Sequence, residues 1–353
     1  MSYTGSYRII MERNLKIDFY KFFAIFTVVL GHSIQYGSGS VFLSASLLEN
    51  PVFRFIYSFH MPLFMLLSGY LFYLSVTNHS FQHNVISRFT TLFIPIIVWN
   101  IVPFIAYTWH DRPHTLRYLF QAYLITMTDN SWFLWAIFYC SFAVLLVNKF
   151  FKDNVFIYLF GLMITFVIPD SHNLFLYKFM YPYFLIGYFY HKNSGKIKED
   201  LPKQIKSWKG FGILTIIYFI LLFFFHTDSY IYTSKYTLLG KDILLQLGID
   251  LFRFCIGLVG SLWILLLLEK IYPLLSKRIA EFLCLIGRNS LGIYMISGLV
   301  FIYVLPTLTS SVHKLNYFIV LGETAVILFG TLLLSLLLKK WSVTNFLFLG
   351  GRR

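Results

Sequence analysis

Three ionisable side chains lie at helical spacing in the first long apolar segment, KIDFYKFFAIFTVVLGH (residues 16–32): Asp18, Lys21 and His32. Lys21 and His32 are separated by about 1,100° of helical rotation, so they share one face and lie roughly 16 Å apart along the axis. Asp18 precedes Lys21 by one turn on nearly the same face. A charge facing lipid costs several kcal/mol, so the stripe is predicted to face the bundle interior or a wet cavity. The alternatives are that Asp18 and Lys21 snorkel at the interface and that His32 is simply packed.

The second apolar segment contains SFHMPLFMLLSGYLF (residues 58–72), in which His60 lies at a depth similar to that of His32. The two imidazoles are therefore predicted to flank one cavity, where a neutral imidazole can act as a general base. For Ser68 and Gly69, close packing of small residues is the favoured interpretation.

Further polar residues accompany the later segments. Arg88 stands at the cytoplasmic start of the third segment, where it either contacts headgroups or holds an anionic group arriving from the cytosol. Trp132 fits an aromatic belt at the outer face. Arg253 and Lys178 lie within later helices and need partners, and Asp250 is the i,i+3 candidate for Arg253.

The composition indicates an integral membrane protein. Of the 353 residues, 58% are hydrophobic and only 12% are charged, whereas about a quarter of the residues of a soluble domain are charged. The net charge of +14 is attributed to basic cytoplasmic loops beside anionic lipid rather than to nucleic-acid binding. The three cysteines lack metal-ligand spacing and are interpreted as core residues, so no metal site is expected.

The apolar runs predict an all-α bundle of about ten transmembrane helices in a single domain, residues 1–353. A span needs roughly 20 apolar residues, and the first run has no cleavage site of the signal-peptide type, so it is expected to remain. The ten runs lie near residues 17–36, 52–75, 89–109, 131–150, 154–169, 173–191, 210–227, 246–268, 289–308 and 316–338.

The distribution of basic residues predicts the orientation. With the N-terminus inside, about 20 of the 29 lysine and arginine residues fall on the inner side, so both termini are expected in the cytoplasm. The most basic loop, residues 192–209, is interpreted as a cytoplasmic connection between two groups of helices or as a topology signal alone. No appended soluble domain is expected.

Taken in order, the motifs resemble those of the acyltransferase 3 family, membrane O-acyltransferases that modify bacterial surface carbohydrates. The resemblance spans nearly the whole chain and is most specific in the first two helices. Two positions depart from the family pattern: Thr91 stands where many members have a second basic residue, and Ser297 where many have His. The matching stretches are Asp18–Lys21–His32, His60 to Phe64 with Ser68 to Tyr70, Arg88 before Pro95, Trp132 to Leu134, YPYFLIGY (181–188) and GRNSLGIYMIS (287–297).

The resemblance implies transfer of an acyl group, usually acetyl from acetyl-CoA, to a hydroxyl of a surface or lipid-linked carbohydrate by a multi-pass protein of the inner or plasma membrane. His32 is then the candidate base, and protonated His60 or Ser68 a candidate donor to the oxyanion. Lys21 and Arg88 would hold the donor's phosphates, and Asp18 would pair with one of these cations. Ser68, Trp132 and Tyr294 would support the substrates or the structure of the site.

Two other classes of function remain open at this point. A transporter or flippase of a polyprenyl-linked sugar also suits many helices with buried charges, and it predicts two related halves, which the sequence does not display. A scaffold or receptor would use His32 for packing alone.

Overall fold

The computed structural model describes residues 14–37, 45–108, 115–171, 173–194, 206–239, 242–309 and 315–351. All regular secondary structure in these ranges is helical, and seven of the helices are long and apolar enough to cross a membrane. The protein is therefore an all-α membrane protein, as its composition indicates. The principal helices are α1 (Leu15–Gly37), α2 (Pro51–Asn78), α3 (Phe81–Thr108), α4 (Leu116–Asn130), α5 (Trp132–Phe151), α6 (Val155–Val167), α7 (Leu174–Ser194), α8 (Trp208–Phe223), α9 (Ile243–Leu274), α10 (Lys277–Arg288), α11 (Ser290–Leu308), α12 (Tyr317–Leu338) and α13 (Ser342–Leu349).

Each of the ten predicted runs corresponds to one of these helices. Two of them, α6 and α8, are shorter than a full span. The sequence interpretation missed α4, α10 and α13, which are short and lie between or after the long apolar runs. In α10 the charged Lys277, Arg278 and Glu281 are exposed while Cys284 and Ile286 are buried, so this amphipathic helix lies between the predicted runs at residues 246–268 and 289–308. Below, the inner end of the bundle is the end at which α1 begins, and the outer end is the end at which α1 finishes.

Close backbone contact between α2 and α7 forms the centre of the bundle. A Cβ atom on Gly69 would overlap the carbonyl of Phe184, and one on Gly187 would overlap the carbonyl of Leu66. The two glycines therefore allow the helix backbones to touch reciprocally. The packing interpretation of Gly69 is confirmed. Gly287 plays the same part between α10 and α1, where a Cβ would overlap the Asp18 carbonyl.

Three of the long helices are irregular near the residues of interest. α2 is interrupted at Ser58 and Phe59, directly before His60. α3 contains a π-helical turn over Phe89–Phe93, directly after Arg88, and α11 contains another over Val300–Val304. Turns of this kind commonly mark functional sites in helices.

Two buried ion pairs tie the outer loop around residues 227–239 to the bundle. Arg253 Nη1 lies 2.9 Å from Asp250 Oδ1, which confirms the predicted pair, and Arg253 also donates to the backbone carbonyls of Ser229 and Lys235. Lys178 pairs with Asp170, which precedes α7.

Asp170 anchors the same loop through its second oxygen. This oxygen accepts hydrogen bonds from the backbone N–H groups of Tyr236 and Thr237, at 2.8 and 2.6 Å. Burial opposes the charged form, but the bonds from Lys178 and the two amides outweigh it and lower the pKa of Asp170 below its usual value.

Candidate active site

Two of the cavities in the described part of the bundle lie one towards each end of α1. The outer one, the His32 cavity, has a volume of about 280 Å³ and is lined by His32, Trp132 and Tyr294 among other residues. The inner one, the Arg88 cavity, has a volume of about 290 Å³ and is lined by Lys21, Ser68, Arg88 and again Tyr294. The polar stripe of α1 therefore faces the bundle interior, with Lys21 in one cavity and His32 in the other.

His32 is held in the wall of its cavity by one hydrogen bond and two aromatic rings. Its Nδ1 lies 3.1 Å from Gln35 Oε1. An amide oxygen only accepts, so Nδ1 carries the proton and Nε2 is left with its lone pair. Within the described part of the chain Nε2 makes no hydrogen bond. The rings of Phe301 and Tyr36 lie 5.2 and 6.0 Å away, centre to centre. The imidazole is therefore oriented and retains a nitrogen that can accept a proton.

His60 lies outside the lining of both cavities, so the structure does not place the two imidazoles around one cavity as predicted. Its Nδ1 is 2.9 Å from the Ile56 carbonyl, to which it donates. Its ring contacts the ring of Tyr57 at 4.6 Å. His60 directly follows the interruption of α2 and so lies in the first turn of the inner part of this helix. Its ring packs against Tyr57.

Arg88 contributes a buried cation to the Arg88 cavity. Its guanidinium carbon is 4.8 Å from the centre of the Phe72 ring, and its Nε has no hydrogen-bond partner. Lys21 lies in the same wall, and among the described residues no carboxylate lines this cavity. Two cations in the wall of one cavity favour an anionic ligand.

Ser68 and Asp18 make contacts that the sequence did not reveal. The Ser68 hydroxyl donates to the Phe64 carbonyl at 2.8 Å, so its proton is engaged within α2. Asp18 Oδ2 accepts from Arg288 Nε at 3.0 Å. Asp18 was predicted to pair with Lys21 or Arg88; Arg288, at the end of α10, is a partner that was not predicted, and it ties the inner ends of α1 and α10 together.

Tyr294 is the side chain that the two cavities share. Its ring lies 6.0 Å from that of Phe133, which contacts Phe64 at 5.6 Å. Phe133 lines the Arg88 cavity, and its neighbour Trp132 lines the His32 cavity. The first turns of α5 and α11 therefore separate the two spaces by a layer of aromatic rings.

The departures Thr91 and Ser297 also line the cavities. Thr91 lies in the wall of the Arg88 cavity, where its hydroxyl donates to the Ser87 carbonyl at 2.6 Å. Ser297 lies in the wall of the His32 cavity and donates to the Tyr294 carbonyl at 3.2 Å. Both hydroxyls are used within their own helices.

A polar rim of the His32 cavity was missed by the sequence interpretation. Asn173 donates to the backbone carbonyl of Asp129 at 3.2 Å, and Asn100 donates to Ser131 at 2.7 Å. The only available signal was the polar run Asp-Asn-Ser directly before Trp132. No group of three metal-ligating side chains occurs among the residues described.

Comparisons with known proteins identify the family. A family model described as an acyltransferase domain, that of the acyltransferase 3 family, matches residues 14–340. The chain belongs to the acyltransferase 3 family. It is an acyl-transferring membrane enzyme, and the resemblance found in its motifs is confirmed.

Two relatives within the curated proteins are nodulation proteins. The chain is 25% identical to nodulation protein NolL of Mesorhizobium japonicum over 302 residues, covering 82% of this chain and 77% of the relative. It is 30% identical to nodulation protein NolL of Sinorhizobium fredii over 188 residues, covering 51% of this chain and 49% of the relative. No solved structure matches the chain significantly.

Proposed function

We propose that this acyltransferase moves an acetyl group from acetyl-CoA, bound in the Arg88 cavity, to a carbohydrate hydroxyl held in the His32 cavity, with His32 as the general base. The observation that carries the proposal is the pair of cavities that share Tyr294: one is lined by cations and the other by an oriented imidazole. The cations favour a polyanionic donor, and the imidazole favours activation of a hydroxyl.

The donor suits the inner cavity because CoA carries phosphates and is made in the cytosol. Arg88 and Lys21 offer charge-assisted hydrogen bonds to phosphate oxygens, and Asp18, held by Arg288, fixes the helix end that carries Lys21. Lys21 and His32 are roughly 16 Å apart along α1, a distance that the pantetheine arm is long enough to cross. The thioester would then lie beside Tyr294, between the two cavities.

The acceptor suits the outer cavity because its lining combines aromatic faces with hydrogen-bonding groups. Trp132 and Trp99 supply flat apolar surfaces. Asp129, Asn130 and Asn173 supply donors and acceptors for hydroxyl groups. The volume of about 280 Å³ fits a small unit such as one sugar residue of a larger glycan or glycolipid.

The proposed reaction uses the free nitrogen of His32. Nε2 takes the proton from the acceptor hydroxyl as its oxygen attacks the thioester carbonyl. The tetrahedral intermediate collapses with cleavage of the C–S bond, and the imidazolium returns the proton to the CoA thiolate. His60 is assigned a supporting role beneath Tyr57. Ser68 is not assigned to the oxyanion, because its hydroxyl already donates to the Phe64 carbonyl.

The test is transfer of radiolabelled acetyl from acetyl-CoA to an extract of cell-surface glycans by the purified protein in nanodiscs. The wild type is expected to label glycan, and His32→Ala to lose transfer by about 10²- to 10⁴-fold while it still binds acetyl-CoA. His79→Ala is the matched control, because this histidine is exposed at the inner end of α2. Undiminished transfer by His32→Ala would overturn its role, and transfer from succinyl-CoA alone would overturn the donor.

A further inference from the structure

We infer that Gln35 is the positioning residue of His32 and that Tyr57 holds Gln35 in place. The inference rests on the proposed function of His32. Gln35 follows His32 by one turn of α1 and is fully buried. Its carboxamide oxygen lies 3.1 Å from His32 Nδ1 and 3.3 Å from the Tyr57 hydroxyl. The Gln35 oxygen thus accepts two hydrogen bonds, one from a side chain of α1 and one from a side chain of α2.

This arrangement decides which nitrogen of His32 acts as the base. While the Gln35 oxygen accepts from Nδ1–H, the lone pair remains on Nε2. The reversed amide would present its NH₂ group to Nδ1 instead and would place the proton on Nε2. In the observed orientation the Tyr57 hydroxyl donates to the same oxygen, and Gln35 Nε2 is buried without a hydrogen-bond partner among the described residues.

Tyr57 is itself fixed by its neighbours. Its ring is stacked on Phe53 at 3.8 Å and contacts His60 at 4.6 Å, centre to centre. On the other side of the ring, a Cβ atom added to Gly31 would lie only 3.2 Å from the Tyr57 ring. Gly31 therefore allows Tyr57 to approach α1 closely beside His32, and His60 supports the ring from below.

Gln35 is a neutral amide, and its effect on the basicity of His32 differs from that of a carboxylate. A carboxylate beside Nδ1 stabilises the imidazolium and strengthens the base, whereas an amide orients the ring without adding charge. His32 then releases its proton readily to the departing thiolate. Among the described residues, the titratable groups around His32 are Tyr36, whose ring contacts it, Asp129, Tyr232 and Tyr294, which line the same cavity, and Tyr57 and His60, which contact each other beside Gln35.

The first experiment compares the kinetics of Gln35→Leu, Gln35→Glu and Tyr57→Phe. Gln35→Leu is expected to lower kcat on the order of 10- to 100-fold, the range found for orienting partners of metal-bound histidines, with an unchanged KM for acetyl-CoA. Gln35→Glu is expected to move the acidic limb of the kcat/KM profile to higher pH, because the added carboxylate favours the imidazolium. Tyr57→Phe is expected to lower kcat less than Gln35→Leu. Gln121→Leu, at an exposed position of α4, is the matched control.

The second experiment does not depend on activity. Nitrogen NMR of protein labelled with ¹⁵N-histidine in nanodiscs, with His32 assigned by difference against His32→Ala, reports which ring nitrogen is protonated. The Nδ1–H form is expected in the wild type, and its loss is expected in Gln35→Leu. An Nε2–H form in the wild type, or wild-type kcat in Gln35→Leu, would overturn the inference. Undiminished transfer by His32→Ala would instead overturn the proposed function, whatever the NMR result.

Discussion

At the scale of single residues, several polar groups of the apolar helices have a specific polar partner. His32 has the amide of Gln35, Asp18 has Arg288, and Arg253 has Asp250. Arg88 differs from these, because its Nε is buried without a hydrogen-bond partner. A buried donor left unpaired lowers stability. Arg88 lies in the wall of a cavity, where a bound anion would supply the missing acceptor.

Replacing Arg88 is therefore expected to weaken binding of the donor. Arg88→Met should raise the KM for acetyl-CoA by roughly 10- to 100-fold, since a hydrogen bond to a charged group is worth about 1.5–3 kcal/mol, and the KM for the acceptor should stay unchanged. The measurement is steady-state kinetics with labelled acetyl-CoA. Arg278→Met, at an exposed position of α10, is the control, and an unchanged donor KM in Arg88→Met would contradict the assignment.

The ion pair between Asp170 and Lys178 leads to a prediction about stability and pH. The side chains of both residues are almost fully buried, at 4% and 3% exposure, and removal of one partner from such a pair costs about 3–5 kcal/mol. Asp170→Asn should accordingly unfold at a markedly lower temperature at neutral pH. Asp170→Leu combined with Lys178→Met should recover only part of the loss, because it leaves no unpaired charge but removes the acceptor of the Tyr236 and Thr237 amides.

The direction of the pH effect follows from the lowered pKa of Asp170. The stabilisation is fully present above the unfolded value of about 3.9, and it is lost as the pH falls through the lower folded value. Thermal unfolding of the wild type should therefore show a step below about pH 4 that Asp170→Asn lacks. The same step in both proteins would show that other carboxylates cause it.

At the scale of helices, the sequence predicts the long elements well and the short ones poorly. A run of about 20 apolar residues is enough to specify a span, so all ten runs became helices. α4 and α10 are too short for that criterion, so neither was predicted as a helix. Partners distant in the sequence could not be predicted either. Nothing near Asp18 in the sequence indicates Arg288, which lies on another helix. Gln35 was visible one turn after His32, but an uncharged side chain gave no reason to select it.

The wall that α11 contributes to the His32 cavity can be altered at Gly298. This residue lines the cavity, and a Cβ there would meet nothing within 4 Å, so a leucine enters the cavity without disturbing the helices. Gly298→Leu should raise the KM for the acceptor about tenfold or more, as expected when a filled pocket costs the ligand over 1.4 kcal/mol, and should leave the KM for acetyl-CoA unchanged.

The matched control for this substitution is Gly330→Leu on α12, where a Cβ also meets nothing and the residue is exposed. Both variants gain helix propensity, so lower stability is not expected from either. The comparison is made by acceptor titration at saturating acetyl-CoA. An acceptor KM that changes equally in both variants would place the acceptor elsewhere.

At the scale of the whole molecule, the bundle places a cationic cavity and a cavity with an imidazole at different depths along one membrane-spanning axis. The inner part of α1 and α3 presents cations, and the outer part of α1, α4 and α11 presents an imidazole, aromatic faces and amides. Tyr294 and Phe133 lie between them. On the proposed mechanism, the acetyl group passes between the cavities at this layer while the phosphates of CoA remain at the inner end.

The most direct test of this arrangement is photo-crosslinking with a non-hydrolysable CoA that carries a diazirine in place of the acetyl methyl group, followed by mass spectrometry of the labelled peptides. The account predicts crosslinks at the junction of the cavities, to Tyr294, Phe133 or His32, and their loss when excess acetyl-CoA competes. Competed crosslinks confined to residues outside both cavity linings would contradict the account, because the reacting carbon would then lie away from His32.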